Sequence, residues 1–192
     1  MKRKKTTILI SSLLFMSSVG VYAVLGSYSQ LSVSTNKVEA QLLNQLSASE
    51  IRERRIEKLQ NHLRSDTQNS ELWYQLGNAY MYNNEFDNAV ITFDYALRLN
   101  KNPTANMISA KASALYYSSG QTVTDEVDKL LRAVIKMDPY NQTALMILAT
   151  NEFMNVRYQQ AIDIWQSLLD SEQQGLDRVT IINSINQAKQ FL

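Results

Sequence analysis

The side chains of this sequence that could make or break bonds are few. His62 is the one histidine and there is no cysteine, so a catalytic triad, a thiolate nucleophile, a Cys/His zinc site or covalent haem attachment lacks the members it needs. Glu71, Glu85 and Asp87 fall at expected helix starts, where acids complement the helix dipole before they serve as general acids. What remains is non-covalent chemistry, carried by three short sets: Tyr74, Asn78, Met81 and Tyr82; Ile108, Ala112, Leu115 and Tyr116; Met146, Thr150, Phe153 and Met154. Tyr, Met and Leu offer an adaptable apolar surface, and Asn78 and Thr150 can bond a peptide backbone or terminus. The same residues also suit extra core or contact with N-terminal helices; several of them on one face favour a groove. The chemistry expected is the holding of a peptide, with no turnover, no metal and no cofactor.

Those sets need helices to position them. Five Gly and two Pro in 192 residues are too few for the turns of a β-sandwich or barrel, and the chain reads as all-α. In "ELWYQLGNAYMYNNEFDNAVITFDYAL" (residues 71–97), Ser70 is the expected cap of a helix carrying Trp73, Leu76, Gly77 and Tyr80 on one face. "YNNE" turns the chain into a second helix with Phe86, Ala89, Phe93 and Ala96. Gly77 and Ala89 remove bulk where the two helices cross. If Trp73 is fully enclosed, its truncation to Ala costs about 3–5 kcal/mol.

This spacing resembles the tetratricopeptide repeat, a helix-turn-helix unit of about 34 residues. Met107, Ala110 and Ala114 recur 34 residues after Trp73, Leu76 and Tyr80, whereas Val127, Leu131 and Val134 recur 38 residues after Ala89, Phe93 and Ala96. Four extra residues therefore fall between the paired helices, within "SSGQTVTD". The third copy agrees: Leu145, Leu148 and Ala149 follow by 38, but Ala161, Trp165 and Leu168 by 34. Repeats are expected at about 70–103, 104–140 and 141–175. Ile181, Ile185, Ala188 and Leu192 mark a capping helix at about 177–192. First helices line the inner face of such a solenoid, so the three sets face one concave groove. The second repeat departs from the pattern with Met107 and Lys111 in the aromatic and glycine places, and the third with Glu152 where Tyr is usual.

Residues 6–28 carry no charge and are long enough for a membrane span. Lys2, Arg3, Lys4 and Lys5 precede them, placing the N-terminus in the cytoplasm and the remainder across the membrane. Residues 1–28 are thus a membrane anchor, favoured over a cleaved signal ending at "VYA", and residues 29–36 a polar linker to a repeat domain at 37–192. From Val38 to Leu63 the pattern is helical, and "SASE" at residues 47–50 has the spacing of a capping box. The formal charge of +1 becomes −3 without the four leading cations; that remainder has no basic stripe and excludes nucleic acid as a partner.

Specific phrases sharpen the resemblance: "LWYQLG" at 72–77, "ALYYSSGQ" at 114–121, "TALMILA" at 143–149, "YQQAIDIWQ" at 158–166 and "SINQAK" at 184–189. They resemble the small membrane-attached tetratricopeptide subunit of bacterial cytochrome c nitrite reductase maturation, the NrfG type. They resemble less closely the C-terminal repeat domain of the general factor that holds apocytochromes. The resemblance implies an accessory subunit of a haem lyase complex on the periplasmic side of the inner membrane, binding the C-terminal tail of an apocytochrome. The competing expectation is a general scaffold that assembles other membrane or periplasmic proteins through its convex face or through Arg54 and Arg55.

Overall fold

The computed structural model describes residues 46–192. The expected anchor, the linker and residues 37–45, which include the start of the helical stretch, lie outside the described residues; the rest of that stretch is helical from Ala48. No helix of the described residues is long and apolar enough to cross a membrane. Eight helices and no strand are present among them. The chain from Arg52 to Leu192 forms one compact unit.

Helix α1 (Ala48–Ser65) opens on the expected capping box: the Ser47 N–H donates to Glu50 Oε2 at 2.8 Å, and the Glu50 N–H to Ser47 Oγ at 3.3 Å. Each bond satisfies a donor that the first helical turn leaves unpaired. Three antiparallel pairs follow: α2 (Ser70–Tyr82) with α3 (Phe86–Leu99), α4 (Ala105–Ser118) with α5 (Asp125–Met137), and α6 (Gln142–Met154) with α7 (Tyr158–Asp170). Helix α8 (Arg178–Lys189) packs on α7. The cap of α2 is Asn69 rather than Ser70; its Oδ1 accepts from the Leu72 N–H at 3.1 Å. Thr104 and Thr124 cap α4 and α5 through their hydroxyls.

One turn geometry closes the first helix of every pair. Asn84, Gly120 and Val156 adopt φ of 59°, 66° and 64°. The next N–H reaches back five residues: Glu85 to Tyr80, Gln121 to Tyr116 and Arg157 to Glu152, at 2.8–2.9 Å. This satisfies carbonyls that the helix end leaves orphaned. Glycine and asparagine tolerate left-handed backbone, whereas a β-branched residue there costs about 1–2 kcal/mol. Val156 is 70% exposed, so its side chain returns little by packing. Val156→Gly is therefore expected to stabilise the protein and raise Tm by about 2–4 °C, checked by thermal melting; a fall in Tm refutes the strain.

The residues that recur at the repeat spacing on the second helices are buried: Ala89, Phe93 and Ala96 in α3, Val127, Leu131 and Val134 in α5, and Ala161, Trp165 and Leu168 in α7. Phe86, expected on the same face of α3, is only half-buried and stacks on Tyr117 at 5.1 Å. Leu76, Gly77, Tyr80, Met107, Ala114, Leu145 and Ala149 are buried on the first helices, and Leu148 is half-buried. A Cβ added at Gly77 would lie 2.5 Å from Phe93 Cδ1 and 2.9 Å from Cζ, so this crossing needs a bare backbone. Trp73 is half-buried rather than enclosed; its ring stacks on the exposed Tyr95 at 4.6 Å and its Nε1 donates to the Thr67 carbonyl at 2.9 Å. Truncating it therefore costs less than the loss of a fully buried tryptophan.

The departures from the repeat pattern have their own contacts. Lys111 sends a largely covered side chain between two second helices, its Nζ 2.9 Å from Asp94 of α3 and 3.5 Å from Glu126 of α5. Glu152 pairs with Arg157 across the last turn; that hydrogen bond is the main reason its carboxyl titrates below the ordinary value. In α8, Ile181, Ile185 and Ala188 are buried, but Leu192 is 71% exposed. Phe191 takes the apolar contact expected of Leu192, stacking on Tyr158 at 5.0 Å and meeting Phe153 edge-on at 6.1 Å.

Buried side chains gather into three clusters, and the first helices straddle them. Helix α4 gives Ala114 to the first cluster and Ala112 and Tyr116 to the second. Helix α6 gives Ala144 and Ile147 to the second, and Leu145 and Ala149 to the third.

Candidate functional site

A cavity of roughly 540 Å³ opens where α2, α4 and the start of α6 converge. Helix α2 contributes Tyr74, Asn78, Met81 and Tyr82, the whole of the first expected set; Tyr74 and Met81 also pack against the first core cluster, whereas Tyr82 is exposed. Phe93 of α3 lies behind this wall, fully buried, its ring 5.7 Å from that of Tyr74. The opposite wall is Asn106, Ser109, Ala110 and Ser113 of α4. Asp138, Asn141, Gln142, Thr143 and Gln173 complete the rim.

The rim is built around Asn141, a polar residue only 3% exposed. Its Oδ1 accepts from the Ala144 N–H at 3.2 Å and caps α6, while its Nδ2 donates to Asn106 Oδ1 at 2.9 Å and to Asp138 Oδ2 at 3.3 Å. Burying an amide is tolerated when its donors and acceptor are all used. Asn141 thereby fixes the distance between α4 and α6 and holds the cavity open.

Other polar groups on the walls keep free capacity. Asn78 donates through Nδ2 to the Tyr74 carbonyl at 3.0 Å, leaving Oδ1 as an acceptor, and Asn106 keeps Nδ2 as a donor. The hydroxyls of Tyr74, Tyr82 and Ser113 and the amide of Gln142 make no hydrogen bond among the described residues. Together they form an array of donors and acceptors over an apolar floor of Met81 and Ala110. An extended peptide can fill such an array with its own N–H and C=O groups.

The other two expected sets lie elsewhere. Tyr116, expected in the groove, is 3% exposed and sits in the second core cluster, where burial pushes its phenol above the ordinary value. Ala112 is fully buried beside it, and Ile108 and Leu115 pack against the same cluster. Met146 and Phe153 pack against the third cluster, with Phe153 among Tyr158, Trp165 and Phe191. Thr150 is half-buried, and Met154 is 71% exposed. None of these borders the cavity. Conversely, Asn106, Ser109 and Ser113 carry no signal in the sequence, because the repeat pattern does not distinguish small polar residues on a first helix; the bond from Asn141 that orients the Asn106 amide becomes visible only once α6 is placed.

Comparison with known proteins agrees with this architecture. A family model for the cytochrome c-type biogenesis protein H TPR domain matches residues 23–178. The formate-dependent nitrite reductase complex subunit NrfG of Escherichia coli O157:H7 is 31% identical over 97% of this chain and 96% of its own length. The bifunctional subunit NrfFG of Haemophilus influenzae is 43% identical over 66% of this chain, which spans only 33% of that longer protein. Among solved structures, the Arabidopsis OM64 TPR domain superposes with a TM-score of 0.52 at 22% identity, covering 64% of this chain and 96% of that domain. Yeast Tom70 gives 0.56 at 18% identity, covering 69% of this chain and 28% of that one. These two share the fold alone. With three helix pairs in the repeat register, a family match across most of its length and a relative aligned end to end, the chain belongs to the tetratricopeptide-repeat family of cytochrome c-type biogenesis protein H and is an NrfG-type member of it.

Proposed function

We propose that this chain is an accessory, peptide-holding subunit of a haem lyase complex in cytochrome c biogenesis, serving a formate-dependent nitrite reductase. Its client is the C-terminal tail of an apocytochrome, held in the cavity between α2 and α4. The membrane attachment expected of residues 6–28 would keep the repeats in the periplasm, beside the other haem lyase subunits. The reading is supported by family membership and carried by one observation: amides and hydroxyls with free hydrogen-bonding capacity converge over an apolar floor in a cavity large enough for several residues of extended chain. The protein's part is to orient the client, lowering the entropy cost of presenting a haem attachment site to another subunit.

Calorimetric titration of the full-length chain with C-terminal peptides of multihaem apocytochromes tests this. Saturable binding is expected, weakened about thirtyfold by Tyr82→Ala, an exposed aromatic on the wall, with the melting temperature unchanged. Phe153→Glu is a poor probe, because it would disrupt the third core cluster. A folded protein that binds no tail overturns the proposal and turns attention to the scaffold alternative.

A further inference from the structure

The charge lining the cavity is one-sided. Of its described lining residues Asp138 alone is ionised, and none is Lys or Arg. Lys111 lies nearby on α4, but its ammonium is engaged by Asp94 and Glu126 and it does not border the cavity. We infer that the cavity reads a basic side chain within the bound peptide rather than the peptide's terminal carboxylate. The inference rests on the peptide-holding reading and specifies the chemistry of its ligand.

A carboxylate has about four lone-pair sites. The Asp138 oxygens take two local bonds, from the Tyr140 N–H at 3.2 Å and from Asn141 Nδ2 at 3.3 Å, which leaves capacity for a further donor. Asp138 is half-buried, so an ammonium or guanidinium reaching it would meet a partly desolvated anion and form a charge-assisted bond. Met81 and Tyr82 supply an apolar surface along which the methylene stem of lysine or arginine can lie, and a ring over which its charge can sit. A terminal carboxylate entering the same space would approach Asp138 with no counter-cation on the walls. The adjoining N-terminus of α6 offers it only a fractional positive charge, already answered by Asp138 and by the Asn141 cap.

Fluorescence anisotropy of the full-length chain with labelled peptides of about twelve residues, tiled across a multihaem apocytochrome and including its C-terminus, tests this. Peptides that bind are expected to contain Lys or Arg. Replacing that residue by norleucine should weaken binding about tenfold, whereas amidating the terminus should change Kd by less than about twofold. Asp138→Asn keeps an acceptor for the Tyr140 N–H and should weaken the basic peptide about tenfold while leaving the norleucine peptide unaffected. Weakening on amidation, or indifference to norleucine, overturns the inference while leaving peptide holding intact. Failure of every peptide to bind a folded protein overturns peptide holding itself, and this inference with it. The peptide-side substitutions decide between these outcomes even if Asp138→Asn unfolds the chain.

Discussion

Phe93→Ala is expected to cost about 3–5 kcal/mol of folding free energy, read as a lower urea midpoint at an unchanged slope. The side chain is 0% exposed and is among the largest fully enclosed groups of the molecule. It stands at the crossing of α2 and α3, beneath Tyr74 and against Gly77. Deleting the ring removes its transfer free energy and leaves a void against the bare backbone of Gly77. Because Phe93 also supports Tyr74 on the cavity wall, the variant should weaken the proposed peptide binding even where it remains folded. A loss below about 1 kcal/mol would mean that the first helix pair does not pack through this ring.

Gly77→Ala is the converse experiment, and its sign is informative. Alanine is the better helix former by about 1 kcal/mol, so propensity alone predicts stabilisation. Against this, the new methyl carbon would stand 2.5 Å from the Phe93 ring, and a fully enclosed ring has nowhere to retreat. Overpacking of this kind costs about 1–3 kcal/mol and should prevail, giving a net loss by urea denaturation. In a Phe93→Leu background the same alanine should cost far less, so the two changes should be strongly non-additive. Additive effects would show that glycine is at position 77 for some reason other than this ring.

Much of the fold is legible in the sequence because the repeat couples two independent signals. The shifts of 34 and 38 residues assign Val127, Leu131 and Val134 to burial although the second repeat has lost its aromatic and its glycine. Small polar cap residues mark helix starts to within one residue, as with Asn69 in place of Ser70. The candidate site is less legible. Treating every first helix as equivalent put Tyr116 beside Tyr82, yet α4 has α2, α3, α5 and α6 as neighbours. A helix enclosed on several sides buries residues off its repeat stripe, and Ala112 and Tyr116 are consumed in that way. On α2 the corresponding residues escape burial and meet the polar side of α4 instead. Contacts made by chain-distant polar atoms, such as Asn106 with Asn141 or Lys111 with Asp94 and Glu126, leave no periodic trace.

The three clusters share no buried residue, and this division sets how the molecule yields under stress. Each cluster can open while its neighbour persists, so resistance to unfolding is graded along the chain, as in other stacked arrays with nearest-neighbour coupling. Helix α8 closes the third cluster from one side only, and its departure would release Phe153, Tyr158 and Trp165 without disturbing the cavity between α2 and α4. Helices α4 and α6 join adjacent clusters and act as the hinges through which one opening reaches the next. A force applied at the C-terminal end is thus taken up first by α8 and the third cluster, ahead of the walls that α2 and α4 give the cavity.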